Sequence, residues 1–331
     1  MPDLVSIIVP CYNEAACLPV LLERVEKAMA TVADLEYEIL VIDDGSDEPT
    51  VRVLQQCRAQ NPRIGFLRFV RNFGHQGALT AGLEHARGDA VIMMDADLQH
   101  PPELLPELLR QWRAGYDVVQ ALRRTQPGLG KSLLSHGFYL FFNRISEVQL
   151  QDGAADFRLL SRRAVDSLLG LPEQSRFLRG LVAWLGLPCT TIRFDAPPRL
   201  AGRSSYSFRK MLLLAVEGLV ALSSKPLHLA LYLAGMGLLT AFLYTTFVLV
   251  QRSRGVPMIP GWTSTVFLIL IMGSINLFCT GILGMYLRAV LVELRKRPSY
   301  LVSQYEPPLT SRHPAAPPRT ADPGHRAASQ P

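Results

Sequence analysis

At 331 residues, 49% of them apolar, the chain has room for one large or two ordinary domains, and its mean hydropathy of +0.17 is high for a soluble enzyme. The net charge of +6 fits an anionic partner, but the basic residues cluster beside apolar stretches and no recognition motif accompanies them, which speaks against nucleic acid. Cys11, Cys17, Cys57, Cys189 and Cys279 are scattered without CxxC or zinc spacing, and read as reduced thiols in a cytoplasmic domain.

The chain opens on a β-branched run, Val5 to Val9, too short and without the basic flank for a signal peptide. Pro10-Cys11-Tyr12-Asn13-Glu14 follows, then an amphipathic pattern from about Ala16 to Ala30. Tyr37 to Ile42 predicts a second strand ending in Asp43-Asp44-Gly45-Ser46-Asp47, with a helix over 49–58. Gly65 to Val70 reads as a strand, 76–86 as a helix and Ala90 to Met94 as the next strand. A helix over 103–114 and a strand over 117–122 complete the alternation. Such a pattern predicts an α/β fold with a largely parallel sheet and helices on both faces.

The fourth strand runs into Asp95-Ala96-Asp97-Leu98-Gln99-His100. On a strand, residues i and i+2 share a face, so Asp95 and Asp97 are expected to project together from the carboxyl end, where open α/β sheets bind ligands. Paired hard oxygens, with Gln99 beside them, suit Mg²⁺ or Mn²⁺ bound together with a diphosphate. The strand ends at 10–14 and 43–47 would join them in a nucleotide site, with Pro10, Tyr12, Glu14, Asp43, Asp44 and Asp95 as candidate contacts. No GxGxxG or P-loop is present, which argues against a dinucleotide dehydrogenase, a kinase or an ATPase.

Further along, Leu133, Leu134, Phe138, Phe141, Phe142 and Ile145 fall on one helical side, which suits either a core helix or one lying in a bilayer interface. Asp156 and Arg158 are placed on one strand face. Arg199 to Tyr206, with two arginines, a glycine and hydroxyls, is a loop able to wrap a phosphate, and 207–224 reads as an interfacial amphipathic helix. Residues 228–250 and 263–287 each span a hydrocarbon core of about 30 Å at about 1.5 Å per helical residue. They predict a transmembrane hairpin within 225–290. Arg209, Lys210, Lys225, Arg288, Arg295, Lys296 and Arg297 flank one side, against Arg252 and Arg254 in the link, placing residues 1–206 in the cytoplasm. Asn276 is a candidate for pairing between the two spans. Residues 291–331 read as a cytoplasmic tail, disordered after about 307.

Together VSIIVPCYNE (5–14), DDGSD (43–47), RNFGHQG (71–77) and DADLQHPPE (95–103) resemble the family 2 glycosyltransferases. The resemblance is nearer to the polyprenyl-phosphate glycosyltransferases, and it extends through Asp156 to Leu159, Arg199 to Tyr206 and the two apolar spans. It implies a Rossmann-like GT-A fold and inverting transfer from a UDP- or GDP-linked sugar to a polyprenyl phosphate, undecaprenyl phosphate by default, at a bacterial inner membrane. It also implies that Asp156 and Asp97 are catalytic and that Asp95, Asp97 and Gln99 hold the metal. Arg123, Lys131, Arg199 and Arg203 would gather the acceptor phosphate. A phosphate acceptor needs little help from a base, so Asp156 is expected to orient substrate rather than take a proton. Two other readings are a processive polysaccharide synthase, which would carry QxxRW where this chain has Gln174-Ser-Arg-Phe, and an idle nucleotide-sugar-binding membrane scaffold. Donor sugar and base, acceptor length and assembly into a homo-oligomer are left open by the residues.

Overall fold

The computed structural model describes residues 2–124, 154–173, 177–195, 225–254 and 261–309. Lys131, Arg199, Arg203, the helix expected over 131–147, the interfacial helix at 207–224 and the tail beyond 309 lie outside them. The described residues fall into two compact units. One comprises 2–124, 154–173, 177–195 and 297–309; the other comprises 225–254 and 261–296.

The first unit is an α/β domain. In chain order it contains β1 (Asp3–Cys11), α1 (Leu18–Met29), β2 (Leu35–Asp43), α2 (Glu48–Gln60), β3 (Ile64–Phe69), α3 (His75–His85) and β4 (Ala90–Met93). A 3₁₀ turn (Pro102–Leu104) leads into α4 (Leu105–Arg113) and β5 (Val118–Arg123). Beyond residue 153 come β6 (Ala154–Ser161), α5 (Arg162–Leu169), α6 (Leu178–Trp184), β7 (Cys189–Phe194) and finally β8 (Val302–Glu306).

The eight strands form one sheet in the order β7-β5-β6-β4-β1-β2-β3-β8. Its centre, β4-β1-β2-β3, is parallel, as the alternation predicts. Two strands depart from that pattern. β6 enters antiparallel to β4 and β5, and β8 closes the far edge antiparallel to β3. The sheet is therefore mixed. β8 lies within the segment read from sequence as a tail, because a five-residue strand with one covered face carries too little apolar alternation to stand out.

Strand periodicity sends alternate residues into two cores. Val5, Ile7 and Val9 of β1, with Ile39 and Val41 of β2 and Ile92 of β4, pack under Leu18, Leu21, Leu22, Leu54, Leu105 and Leu108 of α1, α2 and α4. Ile8, Leu40, Ile42, Val91 and Met93 face the other way, onto α3, α5 and α6 through Ala78, Leu79, Val165, Leu168, Leu178 and Leu181. Burial on both faces accounts for the near-continuous apolar runs of these strands. Each fully buried Leu, Ile or Val stabilises the domain by about 1.5–3 kcal/mol before chain entropy is counted.

The second unit is a pair of helices, α7 (Lys225–Ser253) and α8 (Trp262–Arg295). Both are long and apolar enough to cross a membrane. Leu231, Tyr232, Leu238, Phe242, Phe267, Leu270 and Leu277 are exposed on them, the reverse of a soluble core helix. The helices meet where residues are small: the Cα of Gly237 faces Met272, and the Cys279 thiol donates to the Ala230 carbonyl. Asn276 accepts instead from Thr280, one turn on in its own helix.

Candidate active site

At the carboxyl ends of β1 and β2 two loops are stitched together. Asn13, held at φ 59°, donates its backbone N–H to Ser46 Oγ at 2.9 Å, and its side-chain oxygen accepts from the Asp47 N–H at 2.9 Å. Asp44 N–H donates to the Cys11 carbonyl. Gly45 sits at φ +75° and passes so close to residue 71 that a Cβ there would lie 2.6 Å from the Arg71 carbonyl carbon. Only glycine satisfies both demands. The expected convergence of the 10–14 and 43–47 strand ends is thus present, with Asn13 as the tie.

The two acidic residues of the second loop are differently engaged. Asp43 is fully buried; its Oδ1 accepts from the Ser46 N–H at 2.9 Å, and its Oδ2 lies 3.3 Å from Arg68 Nε without a well-formed hydrogen bond. Asp44, expected to meet nucleotide, uses both oxygens on backbone, accepting from the N–H groups of Phe73 at 2.6 Å and Gly74 at 3.0 Å. Burial pushes its carboxyl up from the ordinary range, against the lowering effect of those two bonds. In this structure Asp44 is the clamp of the 71–77 loop. Tyr12 is half exposed at the mouth of the same corner.

β4 ends at Met93, so Asp95 and Asp97 stand on a turn rather than on a strand, and the i, i+2 argument does not apply to them. The turn is built by Leu98, at φ 62°, and by His100. The His100 ring is buried and stacks on Phe157 with centroids 5.0 Å apart. Its Nδ1 accepts from the Asp95 N–H at 2.9 Å, while Nε2 faces Asp95 Oδ2 at 3.6 Å. Burial lowers the His100 pKa and outweighs the nearby charges of Asp95, Asp97 and Asp156. A neutral ring with Nδ1 as acceptor matches that environment. The Gln99 N–H donates to Asp97 Oδ1 at 3.1 Å, closing the turn.

Asp156 projects from β6 and is 3% exposed. Arg179 of α6 holds it in a fork, Nε to Oδ1 and Nη2 to Oδ2, both 2.8 Å. Arg158, two residues on along the same strand face, reaches Oδ1 at 3.2 Å. His75, the first residue of α3, places Nε2 3.3 Å from Asp156 Oδ2 and 3.5 Å from Asp95 Oδ1. Burial alone would raise the Asp156 carboxyl. The hydrogen bonds from His75 and Arg179 and the charges of Arg179 and Arg158 overcome it, and hold the group well below the usual carboxylate range. For His75 burial lowers the pKa, but the Asp156 hydrogen bond and the two carboxylate charges prevail and raise it.

Of the residues named from sequence, the fold gathers Asp95 and Asp156 around His75, and brings Asp97 near enough to act on His100 electrostatically. Arg123 lies exposed at the end of β5. His75, His100, Arg158 and Arg179 complete the cluster and were not assigned roles from sequence. His75 and His100 lie inside two of the quoted motifs. Arg179 carries no local signal, because its partner is 23 positions away on another element.

Do these residues suit a divalent ion? Asp95 Oδ1 is buried and has no hydrogen-bond partner among the described residues. Among the described residues no three His, Cys, Asp or Glu side chains converge as a complete protein cage. An incomplete oxygen shell suits a Mg²⁺-type ion, which takes one or two carboxylates and completes its octahedron with phosphate and water.

A sheet with a parallel centre and acidic loops at its carboxyl ends makes this a mixed α/β domain with its candidate site at the strand ends. Residues 6–169 match the model of "Glycosyl transferase family 2". An uncharacterised glycosyltransferase of Synechocystis is 38% identical over 301 residues, 90% of this chain and 94% of its own length. The putative glycosyltransferase CsbB of Bacillus subtilis is 38% identical over 302 residues, 91% of this chain and 92% of its own. The SfII prophage-derived bactoprenol glucosyl transferase of Shigella flexneri is 34% identical over 302 residues, covering 91% and 97% respectively. Among solved structures, the mannosyltransferase PcManGT from Pyrobaculum calidifontis in complex with GDP-Man and Mn²⁺ has a TM-score of 0.49 at 18% identity, covering 90% of this chain and 89% of that one. The chain belongs to glycosyl transferase family 2, in the group that includes the bactoprenol glucosyl transferases.

Proposed function

We propose that this glycosyltransferase moves a sugar from a nucleotide-sugar donor to the phosphate of a membrane polyprenyl phosphate, with inversion, on the cytoplasmic side of a bacterial inner membrane. The observation that carries the reading is the state of Asp156. A carboxylate held this firmly as an anion by two arginines and a histidine is a poor proton acceptor. It suits an acceptor that arrives already deprotonated. A phosphate monoester, with a second pKa near ~6, is such an acceptor. The match to a bactoprenol glucosyl transferase over 91% of this chain, long enough to include the two apolar helices, supports the same acceptor class.

In this reading the loops at 10–14 and 43–47 hold the nucleoside, with Tyr12 and the Asp43 corner nearest to it. Asp95 and Asp97, with Gln99, would hold Mg²⁺ or Mn²⁺, which supplies charge neutralisation for the departing diphosphate. Asp156, fixed by Arg179, Arg158 and His75, orients the sugar or the acceptor. Arg123, with Lys131, Arg199 and Arg203, would draw in the lipid phosphate and offset its repulsion from the donor. Positioning and charge control therefore supply most of the rate. The two apolar helices anchor the chain where its acceptor lies, oriented by the excess of basic residues on one side of the pair.

The test is direct. Purified full-length protein in detergent is given labelled UDP- and GDP-sugars, undecaprenyl phosphate, and Mg²⁺ or Mn²⁺ against a chelator. A polyprenyl-phosphate sugar, formed only with the ion present, supports the reading. Undiminished transfer in chelator removes the metal role, and transfer to a growing polysaccharide instead removes the acceptor.

A further inference from the structure

Residues 297–309 follow the second apolar helix without a break and belong to the α/β unit. They are nailed down at both ends. At the far end, Arg58 Nε meets Glu306 Oε2 at 2.6 Å, Arg58 also donates to the Pro307 carbonyl at 2.9 Å, and the Leu309 N–H donates to the Pro62 carbonyl at 2.7 Å. Gly65 lies directly beneath, where a Cβ would come within 2.3 Å of Pro308 Cδ. In between, Ser303 Oγ donates to the Arg68 carbonyl and the Val70 N–H donates to the Leu301 carbonyl.

The near end bears on the candidate site. The Tyr300 ring stacks on Phe69 with centroids 5.0 Å apart, and Phe69 meets Phe73 edge-on at 5.7 Å. The Tyr300 hydroxyl donates to Glu84 of α3. Ser299 carbonyl oxygen would lie 3.3 Å from a Cβ at Gly77. Residues 299–300 thus bear on α3 at Gly77 and Glu84, and on Phe73 through Phe69. The same stretch has other ties: Asp44 accepts from the N–H groups of Phe73 and Gly74, and the Leu178 N–H donates to Gln76 Oε1 at 3.2 Å. His75 stands inside this bracket and faces Asp95 and Asp156.

We infer that the segment after the second apolar helix is a strap that sets the position of His75, with Tyr300 as its positioning residue. A side chain that must sit within 3.5 Å of two carboxylates, Asp95 on a turn and Asp156 on β6, needs its own backbone fixed by more than one contact. The strap supplies the contacts to the Phe73 ring, through Phe69, and to α3 that Asp44 does not make. Simple protection of the sheet edge would need the β8 pairing alone and would make no use of the Tyr300–Phe69–Phe73 stack. The link to turnover rests on the transfer reaction proposed above; the link to His75 does not.

The experiment uses the full-length protein in detergent and two readouts. Hydrogen exchange across 70–78 is expected to speed up on the order of tenfold or more in Tyr300→Ala, while β1 and α1 keep their protection. Turnover is expected to fall about tenfold with donor KM within about twofold, and Tyr300→Phe, which keeps the stack, should stay close to the parent in both readouts. Because Tyr300 acts through His75, Tyr300→Ala should cost little further turnover in a His75→Ala background. Unchanged exchange over 70–78, equal losses for the Phe and Ala variants, or an undiminished cost in the His75→Ala background overturns the strap. Should Tyr300→Ala not fold, Tyr300→Leu carries the same readouts. If the parent protein transfers nothing to polyprenyl phosphate, the proposed reaction fails while the exchange measurement still decides the strap.

Discussion

Arg179 and Asp156 meet through two hydrogen bonds of 2.8 Å, a tie between a short helix and the strand that enters the sheet antiparallel. The pair explains how a carboxylate that is 3% exposed stays charged. Removal of Arg179 leaves Asp156, among the described residues, with Arg158 and His75 as partners in a low-dielectric corner. Arg179→Gln is expected to lower turnover by about ten- to a hundredfold through misplacement of Asp156. The stability loss should be about 1–2 kcal/mol in a thermal or urea melt, below the usual cost of breaking a buried pair, because Arg179 is itself partly exposed. Arg179→Lys should rescue charge without the fork and recover activity only in part.

The pH behaviour of Asp156 follows from the direction of its shift. Its folded-state pKa lies well below the ordinary 3.8, so the group adds stability above that value and loses it as pH falls through the folded pKa. Urea melts from pH 6 down to about 3 should therefore show the parent protein losing ground to Asp156→Asn as acidity increases. Over the neutral range Asp156 carries no titration. Asp156→Asn should cut turnover across about pH 6 to 9, with the factor changing only where His75, whose pKa Asp156 helps to raise, titrates; a loss that added alkali restores would make Asp156 a base and contradict the positioning role.

Asp97→Asn removes one of the two carboxylates offered to the ion. Metal-dependent transfer is expected to drop by about 10²–10³-fold, with folding and membrane insertion intact by gel filtration and flotation. Normal turnover in this variant would show that the metal assignment is wrong.

Asp44 tests the other side of the bracket. Asp44→Ala strands the half-buried N–H groups of Phe73 and Gly74, each at a cost of about 1–2 kcal/mol. The expected result is a melt lowered by about 2–4 kcal/mol and loss of activity. Asp44→Asn, whose amide oxygen still accepts one of the two bonds, should recover part of both. If Asp44 instead contacts nucleotide, Asp44→Ala will raise donor KM with stability unchanged.

The order of strands and helices up to β5, the acidic strand ends and the two apolar helices were all legible along the chain, because each depends on periodicity within a few neighbouring residues. Burial of alternate residues on both faces of β1, β2 and β4 wrote the sheet into the apolar runs, and length with composition wrote the helical pair. What the chain could not disclose depends on pairing at a distance. Asp95 and Asp97 looked like strand neighbours, yet β4 stops at Met93 and a turn at Leu98 takes over, since His100 binds the Asp95 N–H. Asp44 was readable as an acid at a strand end, but not that its oxygens accept from backbone N–H groups of a loop thirty positions on. Arg179 reaches Asp156, and residues 299–306 return to β3 after the apolar pair, through contacts that no local pattern encodes. Local sequence set which groups are present and on what kind of element; tertiary packing decided which oxygen each donor meets, and hence which carboxylates are free to act.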